Sequence, residues 1–165
     1  MLVAMTDPGW RSRIRWVVVH PDRPQLLLVE RAGGLALPET GHSAEVWTAD
    51  ASATLPALEQ RVGFDAILLG CLSEDEDPPA RVRRATLMAT PRGTASPPPG
   101  ARWAGRHDLT GATLRHGEQA TMAAGVLDEL AGRATGAARA PWAARGWFRA
   151  AEGGCAPAST RRVGR

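Results

Sequence analysis

Apolar residues come in two short runs near the start of the chain, and their pattern predicts two β-strands. Residues 13–20 begin with alternating basic and apolar positions and continue as an unbroken apolar run, which is typical of a strand that becomes fully buried. Residues 21–24 contain two prolines and an aspartate, the composition of a turn. Residues 25–31, QLLLVER, form a second apolar run. The two runs are therefore predicted to pair as a β-hairpin.

A helical pattern of apolar residues follows further along the chain. Residues 51–62 have apolar side chains at the spacing of one helix face. Pro56 falls inside this segment and would be tolerated only in the first turn. The helix is therefore predicted to begin near Thr54, which can cap it, and to end at Gly63.

Two further strands and a second helix complete the pattern. Residues 66–72 and 81–90 are predicted strands, the first because of its unbroken apolar run. Between them, residues 73–79 contain four consecutive carboxylates and are predicted to form an acidic surface loop. Residues 118–133 carry the apolar stripe of an amphipathic helix. Helices that alternate with strands indicate an α/β domain.

The segment from residue 34 to residue 64 resembles a Nudix box, which ends in Arg-Glu-aliphatic-x-Glu-Glu-x-Gly-aliphatic. The final glycine and aliphatic positions match Gly63 and Phe64. The preceding LLLVER strand, the Leu-Ala-Leu-Pro step at residues 35–38 and the tryptophan segment at residues 103–109 occur in the order found in that family. The resemblance implies an α/β/α sandwich with a mixed central sheet, formed by residues 1–132.

The residues that would carry the family's chemistry are largely replaced. Aligned on Gly63, the paired glutamates of the box are Gln60 and Arg61, and the preceding Arg-Glu is Pro56 and Ala57. In active relatives these glutamates hold Mg²⁺, which prefers anionic oxygen ligands. Gln60 offers a neutral carbonyl oxygen, and Arg61 brings a positive charge. The resemblance therefore implies a divergent domain without Mg²⁺-dependent hydrolysis, for which no cofactor is expected.

The first functional hypothesis is a binding or regulatory module for a nucleotide-like or phosphorylated small molecule. An arginine in place of a metal-binding glutamate could hold phosphate oxygens as a bidentate fork. The pocket is expected between the central helix and the sheet, with these ligand-binding residues: Arg31, Glu39, Glu59, Gln60 and Arg61.

The second hypothesis is an active pyrophosphohydrolase with a rearranged metal site. Counting along the box places Thr48 where its upstream glutamate belongs, but Glu45 lies close by. In this alternative Glu39, Glu45 and Glu59 would be the catalytic residues, and Mg²⁺ would be the cofactor.

Charge is distributed unevenly along the chain. All 20 basic residues are arginine, and lysine, asparagine and tyrosine are absent, which is typical of a GC-rich bacterium. Residues 1–130 carry 13 arginines and 16 acidic residues, a balance of −3, whereas residues 131–165 carry seven arginines and one glutamate, a balance of +6. The basic part lacks the ordered aromatic residues of a stacking surface, which argues against nucleic-acid binding.

Residues 133–165 are predicted to be a basic tail or linker rich in alanine, glycine and proline. Trp142, Trp147 and Phe148 are too many aromatic residues for a plain disordered tail. They are predicted to dock on this domain, on a partner domain or on a second copy in a homodimer. The Pro-Trp and Gly-Trp-Phe steps resemble the junction that leads into aminoglycoside-kinase-like phosphotransferase domains. That resemblance implies a third hypothesis, an interaction module accompanying a phosphotransferase-like partner or domain.

The N-terminal residues lack a basic segment followed by a long apolar run, so no signal peptide is expected. No run reaches the length of a membrane span. A cytoplasmic protein without a membrane partner is therefore expected. Cys71 and Cys155 lack metal-site spacing and are expected to be thiols.

Overall fold

The computed structural model describes residues 9–109 and 117–136. Its first two strands are β1, Arg11–Val18, and β2, Leu26–Arg31. They were predicted to pair as a hairpin, but they belong to different sheets and are joined only by a bridge between Val19 and Leu26 within the described residues. The hairpin prediction is wrong because an apolar run shows that a strand is buried and does not show which strand it pairs with.

Seven strands form two sheets. The remaining strands are β3, Gly34–Ala36; β4, Glu39–His42; β5, Ala66–Asp77; β6, Val82–Pro91; and β7, Ala101–Ala104. One sheet has the order β4-β1-β6-β5 and is mixed, because β1 and β6 run parallel while its other pairs are antiparallel. The second sheet has the order β3-β2-β7 and is antiparallel.

Helices cover both faces of this strand layer. The even-numbered residues of β1, such as Trp16, pack in one core cluster with Leu58 of the first helix, α1, Ala51–Val62. The odd-numbered residue Val17 packs in a second cluster with Leu127 of the last helix, α2, Gly117–Gly136. Alternate side chains of a strand point to opposite faces. The predicted α/β/α sandwich with a mixed central sheet is therefore confirmed.

Helix α1 begins earlier than predicted. Its N-cap is Asp50, whose carboxylate accepts a hydrogen bond from the backbone N–H of Ser52 at 2.9 Å. Thr54, the predicted start, is buried within the helix, and Pro56 lies beyond the first turn on an exposed face. The prediction at Gly63 is confirmed, since this residue has a φ of 75° and closes the helix as its left-handed C-cap.

The predicted acidic loop is a strand. Strand β5 continues through the carboxylates to Asp77 and pairs with β6 along its length. Arg83 and Arg84 of β6 form ion pairs with Glu76 at 2.6 Å and with Asp77 at 2.8 Å. Opposite charges on neighbouring strands stabilise a pairing that the acidic segment alone does not reveal.

The last helix and one cysteine also differ from expectation. Helix α2 continues to Gly136, past the end of the domain predicted at residue 132. Cys71 is disulfide-bonded rather than a thiol. Within the ranges that the structure describes, no helix combines the length and the apolar character needed to cross a membrane.

Candidate functional site

A pocket of about 400 Å³ opens where β1, β2, β3, β4 and α2 approach one another. Polar and charged groups form much of its wall. Its lining residues are Arg13, Arg31, Ala36, Leu37, Glu39, Thr40, Gly41 and Gln119. Two of the predicted ligand-binding residues, Arg31 and Glu39, therefore lie together in one concave site.

Two arginines reach this pocket from different sheets. Arg13 is an exposed residue of β1, and Arg31 is the exposed last residue of β2. Arg31 pairs with Gly34 across the β2–β3 turn, where Gly33 and Gly34 have φ values of 94° and 131°. Glycine adopts these positive φ values without steric cost. The tight glycine turn therefore places the Arg31 guanidinium at the pocket.

The single carboxylate of the pocket lining is paired with a third arginine. Arg15 and Glu39 are register partners in the β1–β4 ladder. The Nε of Arg15 lies 3.4 Å from the Oε1 of Glu39, and both side chains are partly exposed. Because the positive charge of Arg15 balances the negative charge of Glu39, the lining arginines leave the pocket with an excess of positive charge.

Arg61 of α1 is electrostatically coupled to the same site, although it is not among the lining residues. Partial burial lowers the pKa of Arg61, and the neighbouring Arg31 lowers it further, while Glu39 acts in the opposite direction. A nearby positive charge disfavours the charged form of an arginine, which is why Arg31 lowers the pKa of Arg61. The position that aligns with a box glutamate thus adds positive charge beside the pocket.

The rest of the wall is uncharged. Gln119 of α2 is buried, and its Oε1 accepts a hydrogen bond from the Leu37 backbone N–H at 3.3 Å. Thr40 accepts a hydrogen bond from the Trp16 indole at 2.9 Å, which ties the pocket wall to the core below β1. Ala36 adds a small apolar surface. The pocket therefore combines a cationic side with an amide and an apolar side.

The other predicted site residues lie elsewhere. The carboxylate of Glu59 accepts a hydrogen bond from the Ala66 backbone N–H at 2.9 Å, at the start of β5. Gln60 is an exposed residue of α1 and does not line the pocket. Glu45 forms an ion pair with Arg83 at 2.8 Å. The structure thus does not bring Glu45 and Glu59 together with Glu39.

Residues 9–109 and 117–136 contain no group of three or more His, Cys, Asp or Glu side chains that could hold a metal ion. The aromatic residues proposed to dock the tail fall outside the described residues. They are Trp142, Trp147 and Phe148.

Sequence reasoning missed Arg13, Arg15 and Gln119. The alternation of arginine with apolar or small residues in RSRIR indicates that Arg13 and Arg15 share one strand face. Which face of β1 borders the pocket depends on the pairing of β1 with β4, and the sequence did not show that pairing. Gln119 meets Leu37 across 82 positions of the chain, and no local pattern indicates that contact.

No family model matches the chain, and no curated protein sequence matches it. Solved structures do match. A Nudix-family hydrolase from Clostridium perfringens has a TM-score of 0.54 and 16% identity, over 74% of this chain and 99% of that one. A Nudix hydrolase from Nitrosomonas europaea has a TM-score of 0.54 and 11% identity, over 78% of this chain and 74% of that one.

A larger protein also contains the fold. A chain from Sinorhizobium meliloti 1021 that carries the name of an oxidoreductase has a TM-score of 0.57 and 19% identity, over 74% of this chain. The present chain spans only 40% of that protein's length. At these identities the similarity concerns architecture alone. The chain has the α/β/α fold of the Nudix hydrolases.

Proposed function

We propose that this chain is a divergent Nudix-fold module that binds a phosphorylated, nucleotide-like small molecule and does not hydrolyse it with Mg²⁺. The observation that carries the proposal is the cationic pocket. Arg13 and Arg31 line the pocket. The charge of Arg31 acts on the nearby Arg61, and Glu39 is already paired with Arg15.

Guanidinium groups suit such a ligand. Each presents a planar fork of N–H donors that matches two phosphate oxygens, and it keeps its charge at neutral pH. Burial lowers the pKa of Arg61 most, and the charge of the nearby Arg31 lowers it further, so these two arginines repel each other. An anion relieves this repulsion, so the pocket is better suited to a ligand with two or more negative charges than to a neutral ligand.

The residues aligned with the box glutamates support binding over cleavage. Arg61 and Gln60 occupy the positions at which the resembling family places its paired glutamates. Glu45 and Glu59, which could have replaced those glutamates, form other contacts in the structure. In this proposal a guanidinium therefore meets the phosphate directly, where a metal ion would otherwise bridge protein and phosphate. The proposal places the protein in the cytoplasm, where nucleotides are abundant, although a disulfide such as that of Cys71 is uncommon there.

The proposal is tested by measuring whether binding needs a metal. Isothermal titration with pyrophosphate, the four common nucleoside diphosphates and ADP-ribose is performed once with EDTA and once with Mg²⁺. Direct guanidinium contacts predict that at least one compound binds in EDTA, with an affinity that Mg²⁺ does not increase. The affinity should also fall with added salt, since phosphate contacts are screened.

Arg31→Gln and Arg23→Gln make a matched pair for this titration. Both substitutions remove one arginine charge, but Arg23 lies in the turn after β1 and does not line the pocket. We expect about tenfold weaker binding for Arg31→Gln, the effect of losing a charge-assisted hydrogen bond, and little change for Arg23→Gln. Binding that appears only with Mg²⁺, or equal losses in both variants, would contradict the proposal.

A further inference from the structure

Gln119 is the one side-chain amide among the pocket-lining residues that the structure describes. Its relative exposure is 2%, which makes it one of the largest fully buried side chains in the described structure. It lies in the first turn of α2 and lines the same pocket as Arg13 and Arg31. A polar side chain is rarely buried to this extent unless its donors and acceptors are used.

The backbone of Leu37 fixes the orientation of the Gln119 amide. The N–H of Leu37 is a donor, so the atom that meets it at 3.3 Å must be the amide oxygen. The amide nitrogen then has two N–H donors. Because the oxygen is held by Leu37 and the side chain lines the pocket, the amide nitrogen is the group of Gln119 that remains for a ligand.

We infer that Gln119 is a specificity-determining residue that donates a hydrogen bond to a neutral acceptor on the part of the ligand that carries no phosphate. Suitable acceptors are a carbonyl oxygen or an unprotonated ring nitrogen, as on a nucleobase. The inference rests on the proposed function, since the arginines hold the phosphates. Leu37 and Ala36 are the apolar residues of the pocket lining.

The same contact gives selectivity by exclusion. A ligand without an acceptor at this place would leave the buried N–H groups unpaired when it displaces water. Sites built to hydrogen-bond a ligand reject analogues that lack the partner group. The pocket should therefore prefer a nucleoside diphosphate over inorganic pyrophosphate by more than the added contact area explains, and it should distinguish among bases.

Two substitutions separate donation to the ligand from support of Leu37. Gln119→Glu keeps an oxygen that can accept the Leu37 N–H but removes both N–H donors. Gln119→Met keeps the length of the side chain and removes donor and acceptor together. Gln25→Met is the matched control, because Gln25 does not line the pocket. Each protein is titrated with pyrophosphate and with ADP, GDP, CDP and UDP, and the Kd for pyrophosphate is divided by the Kd for the tightest nucleoside diphosphate.

We expect this ratio to fall about five- to tenfold in both Gln119 variants, the effect of one hydrogen bond, and to stay constant in Gln25→Met. Taking the ratio cancels the general effect of the negative charge that Gln119→Glu adds. Pyrophosphate binding by Gln119→Met should equal that of the unchanged protein.

Other outcomes overturn the inference in distinguishable ways. A ratio that survives in Gln119→Glu but not in Gln119→Met would assign the effect to the support of Leu37. A ratio unchanged in both variants would remove Gln119 from recognition. If the unchanged protein binds pyrophosphate without preferring any nucleoside diphosphate, the inference fails while the proposed function stands. If it binds none of these compounds and does not bind ADP-ribose, both fail.

Discussion

Reversing the charge of Arg61 is the sharpest perturbation of the proposed phosphate site. Arg61 aligns with a box glutamate, so Arg61→Glu restores the family's residue type at that position. If a metal site remained, the substitution would strengthen it. If the guanidinium contacts phosphate directly, as proposed, the same substitution should weaken binding.

The expected loss can be worked out from the surroundings of Arg61. A hydrogen bond to a charged group contributes about 1.5–3 kcal/mol, and the lower value applies here because Arg61 is solvent-exposed. Removing the guanidinium in Arg61→Ala should therefore weaken the Kd about tenfold. The carboxylate of Arg61→Glu adds repulsion of about 1 kcal/mol, the value for unit charges ~5 Å apart in water. The total loss for Arg61→Glu is then about 50-fold.

The assay is isothermal titration in EDTA with the tightest compound of the nucleoside diphosphate panel. Arg23→Glu is the control, because it changes the net charge by the same amount in the turn after β1, at a residue that neither lines the pocket nor acts on Arg61. Thermal unfolding of both variants checks that the fold is retained. Equal affinities of Arg61→Glu and the unchanged protein would refute the direct contact, and tighter binding with Mg²⁺ in Arg61→Glu would indicate a metal site.

Three further outcomes follow from individual contacts. If the Glu59 carboxylate serves to accept the Ala66 N–H, Glu59→Ala should lower the free energy of unfolding by about 1–2 kcal/mol in a urea titration. Glu59→Gln should lower it little, because the amide oxygen can still accept. A loss of ligand affinity in Glu59→Gln would assign Glu59 to the site instead. Pro56→Ala should stabilise the protein by about 1–2 kcal/mol in the same assay, because proline lacks the helical N–H and its ring is exposed. A lower stability of Pro56→Ala would show that the proline ring has a packing role. Burial lowers the pKa of His20, and Arg23 lowers it further. The unfolded chain therefore takes up a proton before the folded chain does, and stability should fall as pH drops through about 6.5. Thermal unfolding between pH 7.5 and 5 should show this fall, and His20→Gln should reduce the pH dependence.

The sequence predicted those elements whose patterns are local. Strand β6, the central helix with its Gly63 end and helix α2 follow from apolar spacing and from a residue type that ends helices. The predictions that were wrong concern contacts between segments distant in the sequence. The acidic residues of β5 are compatible with a loop until Arg83 and Arg84 are placed beside them, and β1 pairs with β4 and β6 rather than with its neighbour β2.

The same limit applies to the site. Arg31 and Glu39 were predicted as ligand-binding residues, and both line the pocket. Glu59 was predicted on proximity along the helix, but one residue turns the side chain by about 100°, and its carboxylate meets Ala66. Gln119 comes from the far end of the domain and enters the site through the packing of α2 on the sheet. The pocket was expected between the central helix and the sheet, but the lining that the structure describes contains no residue of α1, and α2 contributes Gln119 instead.

If this fold binds a phosphorylated ligand without cutting it, the compounds that bind should not be hydrolysed. The panel of nucleoside diphosphates and ADP-ribose is incubated with the protein and Mg²⁺ or Mn²⁺, released phosphate or pyrophosphate is followed, and thermal unfolding is measured with each compound. We expect no turnover above a protein-free control, together with a higher Tm in the presence of at least one compound. Turnover that EDTA removes and that Glu45→Gln abolishes would contradict it, because the metal site would then have been rebuilt around a residue that this structure places in an ion pair with Arg83.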